Sequence, residues 1–275
     1  MSNQQSNYKN KNSYQGLNTL LVTIDNQVAT VTLNRPDKRN AFNDEVIAEL
    51  QQVFSQLGTD TQVRAIVLTG AGKAFCAGAD LNWMRAMADY DHSENLADAN
   101  KLAQMLSTIY HCPKPTVAAI QGDVYAGGVG LVAVCDVAIA VKTASFCLSE
   151  VRLGLVPATI SPYVVQAMGV RAARRYFLTA EVFDAKEARR IGLIHERVSE
   201  EELQDVVANI GQKLCKVSPN AVSVCKKLLD EVAYQDIDES LIQYTVEGIA
   251  DIRASDEGKE GVQAFLQKRK PDWLG

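Results

Sequence analysis

The stretch Gly122-Asp123-Val124-Tyr125-Ala126-Gly127-Gly128-Val129-Gly130-Leu131-Val132-Ala133-Val134-Cys135-Asp136 runs from a strand-like segment through closely spaced glycines into an apolar one. The small residues Ala126 to Gly130 follow a strand and precede an apolar helix at Leu131 to Val134, leaving a backbone N–H exposed at a helix start. A second turn of this kind lies upstream in Ala74-Phe75-Cys76-Ala77-Gly78-Ala79-Asp80-Leu81, where Ala77 to Asp80 follows a strand and opens a helix. Helix N-termini carry partial positive charge, so each turn can hold an oxyanion. Taken singly, each run reads first as close packing of helix on sheet.

Around these turns the pattern is mixed α/β. Two β-rich runs, Leu20 to Ile24 and Val28 to Leu33, flank Asp25-Asn26-Gln27 and predict a hairpin. Asn43 can cap a helix whose Val46, Ile47, Leu50, Val53, Phe54 and Leu57 follow the 3.6 period, with Gly58 stopping it. Ala65 to Leu68 reads as a buried strand. A second amphipathic helix is predicted at Asn95 to Tyr110, ended by Pro113 and Pro115. Strands follow at Thr116 to Ile120, Val137 to Val141 and Ser145 to Leu148. From Pro162 helices dominate, and only Ile194 to Val198 still reads as a strand. This order predicts an α/β core at 17–198, a helical region at 199–275 and a disordered polar tail at 1–16.

Composition narrows the function. The 275 residues are 47% hydrophobic and 22% charged, enough apolar content for a sizeable core. Lys+Arg 28 against Asp+Glu 33 gives a net charge of -5, which repels a phosphate backbone and argues against nucleic acid. Six cysteines form no C-x-x-C pair, and four lie in apolar surroundings, the pattern of a reducing compartment. His92, His111 and His195 are the only histidines and show no ligand spacing, so no metal is expected. The most apolar stretch, Val124 to Val141, is broken by Asp136 and three glycines, so no membrane span is expected. The first sixteen residues lack the apolar run of a secretory signal, and a cytoplasmic location is expected.

Two further stretches complete an ordered set: Asn34-Arg35-Pro36-Asp37-Lys38-Arg39-Asn40-Ala41 and Phe146-Cys147-Leu148-Ser149-Glu150-Val151-Arg152-Leu153-Gly154. With these four motifs in order, the chain from about Leu20 to Pro271 resembles the enoyl-CoA hydratase/isomerase (crotonase) superfamily. The resemblance implies a crotonase-like ββα spiral core with a helical C-terminal oligomerisation region, assembled as a homotrimer or a dimer of trimers. It also implies an acyl-CoA thioester substrate and no separate cofactor, because coenzyme A is part of the substrate. Adding water at Cβ, or removing an α or γ proton, puts negative charge on the thioester oxygen, which two convergent N–H donors stabilise. The resemblance assigns these donors to Ala79 and Gly127, and the catalytic acid/base to Glu150 through the match F-x-x-x-E-x-x-x-G.

By the same resemblance the loop with Lys38, Arg39 and Ala41 lies over the nucleotide, while Ala77, Gly78, Asp80, Leu81, Gly128 and Gly130 line the substrate site. Asp80 reads from its position as a helix cap rather than a base, and Cys76, with no histidine near in sequence, as pocket lining. Two departures stand out. Gly130 replaces the second Glu of typical two-carboxylate hydratases, and Pro157-Ala158-Thr159-Ile160-Ser161-Pro162 replaces a glycine-rich turn. Within the superfamily, the stretches at Phe75 to Met84, Leu148 to Arg152 and Ile160 to Val165 most resemble bacterial methylglutaconyl-CoA hydratases of leucine degradation. Their substrate ends in a carboxylate that Arg152, Arg85 or His92 could meet, although each also reads as a solvated or scaffold pair. The expected reaction is hydration of a 2-enoyl-CoA. Isomerisation of a 3-enoyl-CoA to a 2-enoyl-CoA, and a non-catalytic acyl-CoA-binding subunit, are the alternatives.

Overall fold

The computed structural model describes residues 14 and 16–274, so the tail predicted at 1–16 falls almost wholly outside the described residues. The chain opens with a hairpin of β1 (Leu20–Asp25) and β2 (Val28–Leu33). Asn26 and Gln27 both take positive φ, 47° and 65°, as a two-residue turn matched to strand twist requires. The turn is therefore shorter than the sequence pattern implies, because Asp25 pairs with Val28. Next comes α1 (Asp44–Thr59), capped by the Asn43 side chain on the Val46 N–H. Gly58 lies inside this helix rather than ending it, and Asp60 takes the C-terminal position.

Three passes of one pattern then follow. The first contains β3 (Ala65–Gly70), β4 (Ala74–Cys76), α2 (Leu81–Ala88) and α3 (His92–Tyr110). The helix α3 starts three residues before Asn95, because Asp91 and Glu94 form a reciprocal capping box. A second pass contains β5 (Thr116–Ile120), β6 (Asp123–Tyr125) and α4 (Gly127–Ala133). The third contains β7 (Val137–Val141), β8 (Ser145–Cys147), a 3-10 turn at Glu150–Leu153 and α5 (Ser161–Thr179). Beyond it lie β9 (Phe183–Asp184), α6 (Ala185–Arg190), β10 (Glu196–Val198) and α7 (Leu203–Leu214), then α8 (Pro219–Val232), α9 (Glu239–Ala254) and α10 (Asp256–Leu266). The pair β9 and β10 corrects the expectation of a single late strand; two residues in β9 carry no periodicity to detect.

In each pass the longer strand joins a six-stranded sheet of order β1-β2-β3-β5-β7-β10, parallel from β2 onward. The shorter strand joins a second sheet of order β4-β6-β8-β9, in which β4, β6 and β8 are parallel neighbours. This is a mixed α/β ββα spiral. Its core is filled from both sides by Phe42, Phe54, Phe75, Phe146, Ile66 and Leu68, all buried. Residues so deeply buried in a close-packed interior leave little room for backbone drift in the loops they support.

The C-terminal helices are fastened to this core by polar bonds. Asp136 accepts from the Thr116 N–H and hydroxyl and pairs with Lys226 of α8 at 2.7 Å. The Tyr110 hydroxyl donates to Asp230 on the same helix at 2.8 Å. Leu229, Ile242, Ile249 and Phe265 on α8 to α10 remain exposed. No helix among the described residues is long and apolar enough to cross a membrane. Nor does any group of three or more His, Cys, Asp or Glu among them form a set able to hold a metal ion.

Candidate active site

Ligands of parallel sheets collect beyond the carboxyl ends of the strands, where successive loops leave the same edge. Here β4, β6 and β8 end at Cys76, Tyr125 and Cys147, and the three motifs singled out from sequence begin directly after them. The spiral thus places the turn of Ala79, the turn of Gly127 and the loop of Glu150 along one edge of one sheet.

The two small-residue turns are packed together. A Cβ on Gly78 would lie 2.9 Å from the Ala126 Cβ, and one on Gly128 would lie 2.7 Å from the Cys76 carbonyl oxygen. Gly78 adopts φ 86°, which glycine takes without cost. Ala126 adopts φ 47° and ψ -123°, a strained conformation for a residue with a Cβ. Its N–H donates to the Cys147 carbonyl at 2.8 Å, which ties the second turn to the start of the Glu150 loop. Contrary to the sequence reading, the helix begins at Gly127 rather than Leu131, so Gly127, Gly128 and Gly130 belong to its first turn. Among the described residues, neither the Ala79 N–H nor the Gly127 N–H donates to another protein group.

A third segment clamps the first turn. Phe42 donates its N–H to the Gly78 carbonyl at 2.6 Å and accepts the Asp80 N–H at 2.7 Å, while Ala77 donates to the Arg39 carbonyl at 3.0 Å. Arg35 donates to the Ala41 carbonyl at 2.6 Å and to Asp80 Oδ2 at 2.8 Å. Asn40, buried in the loop, donates to the carbonyls of Ala71 and Ala74. Asp80 also caps α2 by accepting the Asn82 N–H at 2.8 Å. Burial alone would raise the Asp80 carboxyl, but the Asn82 N–H and Arg35 together hold it below the ordinary range. Arg35 and Asn40 were not singled out as site residues from sequence; both are spent on holding the loop whose Lys38 and Arg39 side chains remain exposed. Leu81, at the start of α2, is exposed as well.

Glu150 follows β8 in a 3-10 turn closed by Gly154 in the left-handed conformation at φ 73°. Its Oε2 is buried and has no hydrogen-bond partner among the described residues. Desolvation raises the carboxyl above the usual range, against a smaller lowering by a backbone N–H. A carboxylate in this condition exchanges protons nearer neutral pH than a solvated one. Cys76 lies buried at the root of the first turn, and burial pushes its thiol up to about 12, so no thiolate nucleophile forms there.

Of the cations considered for a substrate carboxylate, Arg152 donates to the Ala180 carbonyl and Arg85 to Asn82 Oδ1. His92 is the first residue of α3 and is exposed. A further pair not flagged by sequence joins α2 to α3: the Trp83 indole N–H donates to the buried Asp98 at 3.2 Å.

The site thus sets, along one edge of a parallel sheet, two small-residue turns whose Ala79 and Gly127 N–H groups have no acceptor among the described residues, and one desolvated carboxylate. The sequence matches the family model for enoyl-CoA hydratase/isomerase over residues 23–275. A short-chain-enoyl-CoA hydratase of Clostridium acetobutylicum is 32% identical over 256 residues, covering 92% of this chain and 97% of the relative. The 2,3-dehydroadipyl-CoA hydratase of Escherichia coli is 30% identical over 264 residues, covering 94% and 100%. The crystal structure of an enoyl-CoA hydratase from Shewanella pealeana superposes with a TM-score of 0.92 at 45% identity, covering 94% of this chain and 97% of that one. The chain belongs to the enoyl-CoA hydratase/isomerase family and is a lyase of the enoyl-CoA hydratase type.

Proposed function

We propose that this chain adds water across the 2,3 double bond of 3-methylglutaconyl-CoA, a step of leucine degradation, with Glu150 as its single proton carrier. The observation that carries this reading is the buried Glu150 Oε2, unpartnered among the described residues, on a loop that leaves the same sheet edge as two turns whose Ala79 and Gly127 N–H groups have no acceptor among those residues. In this reading the Ala79 and Gly127 N–H groups hold the thioester oxygen. The Glu150 carboxylate takes a proton from water as its oxygen bonds to Cβ. The π pair of the C=C bond moves to the thioester as an enolate, which then takes the proton from Glu150 at Cα. One water is consumed, and Glu150 is returned to its starting state. The thioester is the electron sink, so the scheme calls on no separate cofactor. Burial of Glu150 supports it, because a raised pKa suits both halves of the proton shuttle.

Coenzyme A is placed over the loop of Lys38 and Arg39, with Ala41, Ala77, Gly78, Asp80, Leu81, Gly128 and Gly130 forming the walls. The exposed apolar residues of α8 to α10 support association as a homotrimer or a dimer of trimers. Six free cysteines suit a reducing, cytoplasmic setting. Gly130 also supports the second reading, isomerisation of a 3-enoyl-CoA by one carboxylate. Mass and absorbance of the conjugated enoyl thioester after incubation with 3-methylglutaconyl-CoA separate these. Hydration adds one water, isomerisation leaves the mass unchanged and moves the double bond, and a binding subunit changes neither.

A further inference from the structure

The two sequence departures, at Gly130 and at Pro157 to Pro162, are one structural feature. Ile160 stands on Gly130: a Cβ at position 130 would lie 2.2 Å from Ile160 Cγ2 and 2.8 Å from Ile160 Cβ, with Leu106 Cδ2 behind at 3.7 Å. Ile160 cannot step aside. It caps α5, its carbonyl accepts the Val164 N–H at 3.0 Å, and it is only 2% exposed. Its β-branch also restricts χ1. Gly127 and Gly130 are three residues apart on one helix and so share a face. In the substrate placement proposed above Gly130 lines the acyl site, and Ile160 and Leu106 then keep that wall aliphatic.

We propose that the Ile160–Gly130 contact is a specificity determinant, giving the site a preference for 2-enoyl thioesters with an alkyl branch on Cβ over straight-chain ones. A carboxylate at 130 would bring a hydrated charge to this volume and oppose an alkyl group there. With Ile160 in place no side chain fits at 130, and the volume stays apolar. The inference rests on the hydratase reading above and adds to it the residue pair that sets the class of acyl chain.

The test is a double-mutant cycle on the full-length protein with Gly130→Ala, Gly130→Glu, Ile160→Gly and both double variants. Thermal unfolding is read together with hydration of glutaconyl-CoA and 3-methylglutaconyl-CoA, which differ only in the methyl group on Cβ. Gly130→Ala lowers Tm in the wild-type background and costs little once Ile160 is glycine. In the Gly130→Glu/Ile160→Gly protein the ratio of kcat/KM values moves toward glutaconyl-CoA by about 10-fold or more, the scale of discrimination by one methyl group. Equal loss of Tm in both backgrounds overturns the steric contact. Relief of the Tm loss with an unchanged ratio overturns the specificity role and leaves packing alone. The Gly130→Ala pair keeps the first readout available if Gly130→Glu does not fold. A wild type that hydrates neither thioester marks failure of the hydratase reading itself, a result distinct from the other two.

Discussion

Gly78 and Ala126 hold the two small-residue turns against each other, with only 2.9 Å available between a Cβ at 78 and the Ala126 Cβ. Because Gly78 also sits at φ 86°, Gly78→Ala meets both a backbone penalty and a collision. The turns must then separate, and the Ala79 and Gly127 N–H groups separate with them. The expected outcome is a folded protein whose kcat falls by about 100-fold or more, the scale for loss of one oxyanion donor. Steady-state kinetics beside circular dichroism checks this.

Glu150 links function to stability in a direction that can be measured. Its folded pKa is raised, so the folded state binds the proton more tightly than the unfolded state does. Stability therefore falls as pH rises from the ordinary carboxyl value of about 4.3 through the raised folded value, and the penalty is complete above it. Glu150→Gln removes the penalty. The variant is expected to melt above wild type at pH 8 and to lose that advantage as the pH is brought below about 4.3, as thermal scans across pH will show.

Asp80 behaves in the opposite sense. Its folded pKa is depressed, so its contribution is present above the ordinary aspartate value of about 3.9 and is lost as pH falls through the folded value. Asp80→Asn keeps a residue able to cap α2 but leaves Arg35 without its counter-charge. A loss of about 2 kcal/mol at neutral pH is expected from a charged hydrogen bond, which is a fall of roughly 4–8 °C in Tm. The difference between variant and wild type should narrow below about pH 3.9.

Lys38 and Arg39 carry side chains that solvent reaches, while the Arg39 carbonyl accepts the Ala77 N–H. Replacing both by Ala removes charge without touching that bond. KM for acyl-CoA thioesters is expected to rise several-fold with kcat little changed, and the gap to wild type should shrink in high salt as screening grows. The same loss with thioesters of pantetheine, which lack the nucleotide, would contradict the placement of these side chains over phosphate.

The motifs were legible in the sequence because small residues after a strand and a carboxylate leaving one are local patterns. Thr116 to Ile120 and Val137 to Val141 agree with the strands residue for residue, since long β-branched runs bounded by turns leave little choice. What brings the motifs together was not legible. β8 is read from sequence one residue too long, as Ser145 to Leu148, and the three-residue β4 and β6 are too short for a periodic signal to bound them; that these strands are neighbours depends on pairing between distant segments. The pairs Arg35–Asp80 and Trp83–Asp98 join separate elements. So does Ile160 on Gly130, which makes one feature of two departures that sequence shows separately.

The central claim is that Glu150 alone moves the proton in a hydration. It is tested most directly by incubating wild type and Glu150→Gln with 3-hydroxy-3-methylglutaryl-CoA and following formation of the conjugated enoyl thioester by absorbance and mass. Loss of water is expected with wild type, and at a rate lower by about 100- to 10,000-fold with the variant. Equal rates for the two proteins, or no loss of water by wild type, would contradict it.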